Sequence, residues 1–168
     1  MNITNIEFKA KVSSIVEAEA KLQKVNPVFK GLDHQVDTYF KVPNGRLKLR
    51  EGNIEHALIQ YHRENLAGAK ESSVILYRHH PDPALKDILT LQFGILKIVD
   101  KQRKIYFIDH VKFHFDEVAG LGTFMEVEVI NENNRFTTEE LQTECNRWIK
   151  FFDILPEQFV ETSYSDMV

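Results

Sequence analysis

With 168 residues, 43% hydrophobic and 27% charged, the chain is sized for one globular domain over residues 1–168 with a substantial buried core. The formal net charge of -4 excludes a whole-molecule basic field of the kind that drives non-specific nucleic-acid binding, so any anion site has to be local. Cys145 is the only cysteine, which excludes an internal disulfide framework and a cysteine-rich metal centre and suits a reducing compartment.

In chain order, Ile3 to Val12 alternates with period two and reads as a strand. Glu7, Lys9 and Lys11 break any signal-peptide run there, and no later stretch approaches a membrane span. The expectation is a cytoplasmic protein with no membrane partner. Ser14 to Val25 predicts a helix, with Ser14 and Glu17 as a capping box and Ile15, Ala18, Leu22 and Val25 on one face. Strands follow at Arg46 to Arg50 and Ala57 to Arg63, then "ENLAGAKESS", Glu64 to Ser73, reads as a hairpin loop. Pro83 to Phe93 predicts a second helix between Asp82 and Gly94. Two more alternating runs, Val111 to Asp116 and Phe124 to Ile130, precede a third helix over Thr138 to Phe152. That helix opens with a Thr137 and Glu140 box and carries Leu141, Cys145, Trp148 and Phe152 on one face. The closing "SYSDMV" reads as a fraying tail from which Tyr164 could fold back. Strands outnumber helices, which argues for an α+β fold with a mostly antiparallel sheet.

Residues two apart on a strand share a face, so the charges can be sorted. Asn5, Glu7, Lys9 and Lys11 oppose Ile6, Phe8, Ala10 and Val12; Arg46, Lys48 and Arg50 oppose Leu47 and Leu49. Tyr61 pairs with Arg63 on one face, and Lys101 with Arg103. His110, Lys112, His114 and Asp116 oppose Val111, Phe113 and Phe115, while Glu126 and Glu128 oppose Met125, Val127 and Val129. Each polar face alone is explained by solvent. Sorting by sign is not: like charges on one face cost energy unless a counter-charge lies opposite. A barrel with these faces inward would relieve the repulsion by enclosing a multiply charged anion, and a polyphosphate with a hard dication meets that description. His110 and His114 are separated by roughly 13 Å along a strand and read as polar-face residues, not paired ligands. No zinc-protease or Gly-rich nucleotide motif occurs.

Four blocks in order then resemble the CYTH family of triphosphate tunnel enzymes, which includes class IV adenylyl cyclases and thiamine triphosphatases. "NIEFKAKV" resembles the ExExK strand, "DTYF" with "GRLKLRE" the next block, "DKQR" the KxR strand, and "FDEVAGLGTFMEVEV" the late acidic block. The resemblance implies an eight-stranded antiparallel β-barrel open as a tunnel, with flanking helices, that binds a triphosphate with magnesium or manganese. It implies phosphate-binding roles for Lys9, Lys48, Arg50, Arg63, Lys101 and Arg103, with Lys11, Arg46 and Asp37 as further members of the tunnel. Metal would be held by Glu7, Glu126 and Glu128 with Asp116; Glu7, Asp116, Glu126 and Lys101 would be the catalytic set. Two positions depart from the pattern. Asn5 replaces the first acid of ExExK and attracts a dication less, and Lys48 stands where an arginine fork is usual. "DTYFKVPNGRLKLRE" looks closer to the cyclase branch. The expected reaction is ATP to cyclic AMP and pyrophosphate; a triphosphatase and a non-catalytic polyphosphate-binding module are the alternatives, and a homodimer is a family-level expectation.

Overall fold

The computed structural model describes Met1–Val168. Eight strands close into an antiparallel barrel: β1 (Asn2–Lys11), β2 (Val28–Phe40), β3 (Arg46–Glu51), β4 (His56–Arg63), β5 (Lys70–Arg78), β6 (Ile95–Ile108), β7 (Val111–Val118) and β8 (Gly122–Asn131). Around the barrel the order is β1-β5-β4-β3-β2-β6-β7-β8, so every strand has two hydrogen-bonded neighbours. The helices are α1 (Ile15–Gln23), α2 (Pro83–Phe93), α3 (Thr138–Phe151) and the short α4 (Tyr164–Met167). None is long and apolar enough to cross a membrane.

The main apolar core lies outside the barrel. Ile6, Phe8 and Ala10 of β1, Phe113 and Phe115 of β7, and Met125, Val127 and Val129 of β8 turn outward beneath Leu22 of α1 and Leu141, Cys145 and Trp148 of α3. Trp148 meets Phe113 edge-on at a centroid distance of 4.7 Å, a favoured aromatic geometry. Cys145 is fully buried in this layer, and burial pushes its thiol up to about 12. Leu89 of α2 covers Phe40 and Leu49 in a smaller cluster on β2 and β3.

Local signals account for the helices. Thr137 accepts from the Glu140 backbone N–H and Glu140 accepts from that of Thr137, completing the expected box. Asp82 caps α2 by accepting from Ala84 N–H, and Gly94 ends it at φ 72. Ser14 caps α1 by accepting from Glu17 N–H, half of the expected box, but the helix stops at Gln23 and leaves Val25 of the predicted face 39% exposed, two residues past the helix end. The loop expected over Glu64 to Ser73 is shorter than its sequence suggested: β5 begins at Lys70, and Lys70 and Ser72 are buried on its inward side. Their polarity imitated a loop because this barrel interior is polar. The chain end does not fray. Tyr164 is 4% exposed, packed with inward-facing Tyr39, Val99, Val118 and Phe124.

Candidate active site

Closure turns the sign-sorted faces toward one another around a cavity of about 580 Å³, within the usual range for small-molecule sites. Lys9, Lys48, Arg50, Arg63, Lys101 and Arg103 line it, as do Glu7, Glu126 and Glu128. Glu55 and Lys112 join them, together with an apolar wall that includes Ile3, Ile59, Val74, Leu76 and Ile130. Two of the expected residues lie elsewhere. Lys11 is exposed at the end of β1, and Arg46 turns to Asp166 at 2.8 Å, away from the central cavity. Asp37 and Asp116 are buried beneath the lining side chains.

Registry explains the grouping. Arg50 pairs with Asp37 across β3 and β2, and Asp37 accepts from Arg50 Nε at 2.8 Å and Nη2 at 2.9 Å. The same carboxylate accepts from Lys48 at 3.0 Å and Lys101 at 2.8 Å. Burial alone would raise the Asp37 carboxyl; Arg50, Lys101 and Lys48 overcome it and hold the group well below the carboxylate range. One charge cannot neutralise three. Burial, with Arg50, Arg103 and Lys48 nearby, consequently brings the Lys101 ammonium down to about 7 despite its contact with Asp37.

Arg103 is forked onto Asp116 by two 2.6 Å bonds and reaches Glu126 at 3.2 Å. Asp116 also accepts from the Tyr164 hydroxyl at 2.8 Å. Its fit is therefore that of an anchor for Arg103, one layer behind the cavity. Arg63 is ion-paired with Glu7 and donates to Ser163 Oγ at 2.7 Å, so the C-terminal segment is tied into the barrel. Lys9 has no carboxylate partner; its ammonium lies 3.9 Å from the Tyr164 ring centroid. Burial lowers it to about 8.

Opposite this cationic wall lies an acidic corner. On β8, Glu126 stands across from Lys9 of β1 and His114 of β7; Glu128 stands across from Glu7 and Lys112. Burial, with Glu126 and Glu7 close by, pushes the Glu128 carboxyl up to about 7, while Lys9 and Arg103 hold Glu126 well below the normal range in spite of its burial. Ligand atoms of His114, Glu126 and Glu128 all lie within 4.8 Å of one another. Asn5 Oδ1 is buried without a donor, and both His114 ring nitrogens are buried without partners. A raised Glu128 carboxyl beside Glu126 and an imidazole without partners fits a divalent cation.

The sequence reading set His114 aside as a polar-face residue and passed over Glu55. Strand alternation had already put His114 on the inward face with Asp116. Glu55 gave no signal, since it lies in the β3–β4 turn, where it accepts from Arg50 at 2.9 Å and pairs with Lys112.

A closed antiparallel barrel enclosing a cationic wall and an acidic corner defines the class as one of charge-lined tunnel proteins. The chain belongs to the CYTH family: the CYTH domain model matches residues 4–149. The fold is similar to the PH1012 protein of Pyrococcus horikoshii OT3 at 24% identity and TM-score 0.78, covering 98% of this chain and 99% of that one. It is also similar to a candidate adenylate cyclase from Vibrio parahaemolyticus at 14% identity and TM-score 0.77, covering 97% and 96%. A candidate adenylyl cyclase from Hippeastrum with a dominant triphosphatase activity matches at 15% identity and TM-score 0.58, covering 97% and 91%. None of the curated proteins matches the chain significantly.

Proposed function

We propose that this protein is a metal-dependent enzyme acting on an organic triphosphate, in the manner of a class IV adenylyl cyclase that converts ATP to cyclic AMP and pyrophosphate. The observation that carries the reading is the division of one cavity into three surfaces: cations, carboxylates and an apolar wall. The cations suit phosphate oxygens, the carboxylates a dication, and the apolar wall the organic group that inorganic tripolyphosphate lacks.

In this mechanism Arg50 and Arg103, locked by Asp37 and Asp116, present donors in fixed positions and lose little freedom when phosphate arrives. Lys9 and Lys101, lysines of the cavity lining whose ammonium groups are lowered by burial, gain most from an incoming anion and retain their protons against it. Glu126 and Glu128, with Glu7 beside them, would hold magnesium or manganese. When bound, that cation supplies positive charge against the phosphate oxygens as the leaving group departs. Catalysis is then alignment and charge neutralisation, with the ribose 3′-hydroxyl directed at the α-phosphorus.

The second reading is a triphosphatase, in which water attacks the terminal phosphorus. The same cationic wall serves either attack, and the Hippeastrum neighbour has a dominant triphosphatase activity. Incubation with ATP, thiamine triphosphate and tripolyphosphate, each with magnesium or manganese, separates them. Cyclic AMP with pyrophosphate is expected; orthophosphate in its place makes the protein a triphosphatase, and no product with tight tripolyphosphate binding makes it a binding module.

A further inference from the structure

Within the tunnel reading proposed above, we propose that His114 is a metal ligand, joining Glu126 and Glu128 in a mixed nitrogen and oxygen site that selects manganese over magnesium. The case begins with what flanks the β8 carboxylates. From β1 comes Glu7, but Glu7 is committed to Arg63, and the next inward position of that strand is an amide, Asn5. From β7 comes His114, 1% exposed, in register with Glu126. Its Nδ1 lies 3.8 Å from Glu126 and 3.9 Å from Glu128, too far for hydrogen bonds, and neither ring nitrogen has any partner.

A buried imidazole with both nitrogens unsatisfied is costly, and a metal ion shared with the two carboxylates beside it would relieve that cost. The spacing suits that: two donors about 2.1 Å from an ion lie at most roughly 4.2 Å apart. The 4.8 Å limit on the three ligand atoms therefore requires only a small contraction. Glu128 is free to make it, since its carboxylate accepts no hydrogen bond, and Glu126 is engaged only through Oε2, by Arg103. Lys112, the neighbour that would otherwise compete for Glu128, is drawn off by Glu55.

The identity of the third ligand determines the metal. Magnesium favours an all-oxygen octahedron with several retained waters, whereas imidazole nitrogen favours first-row transition ions, of which manganese is the one most tolerant of carboxylates. Asn5 and His114 thus form one adjustment. On the β1 side Glu7 is held by Arg63, and Asn5, across from Ile130, carries no charge; a neutral nitrogen is supplied on the β7 side.

The test is electron paramagnetic resonance of the metal-free protein titrated with manganese, with and without tripolyphosphate, combined with magnesium competition and nitrogen hyperfine measurement on the bound ion. We expect manganese to be preferred at least tenfold, with imidazole nitrogen coupling in the wild type. His114→Gln should lose that coupling and most of the preference. His56 and His79 also line the cavity, so the His56→Gln/His79→Gln double variant must retain the coupling; this arm stands even if His114→Gln fails to fold. Manganese bound without nitrogen coupling, coupling that survives His114→Gln, or no manganese binding under either condition overturns the proposal. Tripolyphosphate affinity is read separately by calorimetry, so a failed ligand assignment with intact anion binding is distinguishable from failure of the tunnel reading itself.

Discussion

Asp37 is the carboxylate on which half of the cationic wall depends. It is 1% exposed and bonded to Lys48, Arg50 and Lys101. Replacing it with asparagine leaves three buried or half-buried cations short of a counter-charge, and breaking a buried pair of this kind costs about 3–5 kcal/mol. We expect Asp37→Asn to lose that much in urea denaturation and to recover more of it on adding tripolyphosphate than the wild type gains. Equal stabilisation of both proteins by tripolyphosphate would show that Asp37 does not stand in for the anion. The weakened lysines give a second expectation. Free Lys101 sits at about 7 and Lys9 at about 8, and a polyanion raises both. Binding therefore takes up protons above about pH 7, so affinity is greatest below the free values and falls as pH rises through them. Calorimetry of tripolyphosphate binding at pH 8 in buffers of different ionisation heat, corrected for the ligand's own titration, should show that uptake. Buffer-independent heats would contradict it.

At the scale of the element, α3 and the cavity divide the labour between outside and inside. Trp148→Ala removes an aromatic that touches Phe113, Phe151 and Phe152, and such truncations cost about 3–5 kcal/mol. Because the outward side of β7 is what it supports, the folded fraction should bind tripolyphosphate with unchanged affinity, measured alongside the denaturation midpoint. The same division governed what could be read in advance. β1, β3, β7 and β8 were legible because one face of each is apolar or sharply charged, and β4 because Ala57, Ile59 and Tyr61 alternate with mostly polar neighbours. β2 was not recognised by alternation, since polar inward Asp33, Gln35 and Asp37 oppose an outward face in which His34 interrupts Leu32 and Val36. In β6 only the Lys101 and Arg103 pair stood out, by their shared face and then by the family resemblance. The usual rule puts apolar residues inside; here the inside of a sheet is charged, and β5 was partly taken for a loop for that reason. The cationic wall was legible from sign sorting. The Asp116 anchor, the departure of Lys11 and Arg46 from the cavity and the role of Glu55 depend on cross-strand registry and turn geometry, which one strand's sequence does not contain.

Taken whole, the molecule places a charged interior within a ring of paired strands and keeps its apolar packing mostly in an outer layer under α1, α2 and α3. No strand edge is left open to another chain. The lone thiol of Cys145 lies at 0% exposure in that outer layer, with its proton held by burial. It is thus a built-in timer for the separation of α3 from the barrel, because a thiol reagent can reach it only when that helix lifts. In native buffer, labelling followed by mass spectrometry should proceed at the opening rate, and tripolyphosphate with manganese should slow it if helix release and tunnel disruption are one event. Labelling that ignores the ligand would mean that the roof of this barrel opens on its own clock, independent of the hearth it encloses.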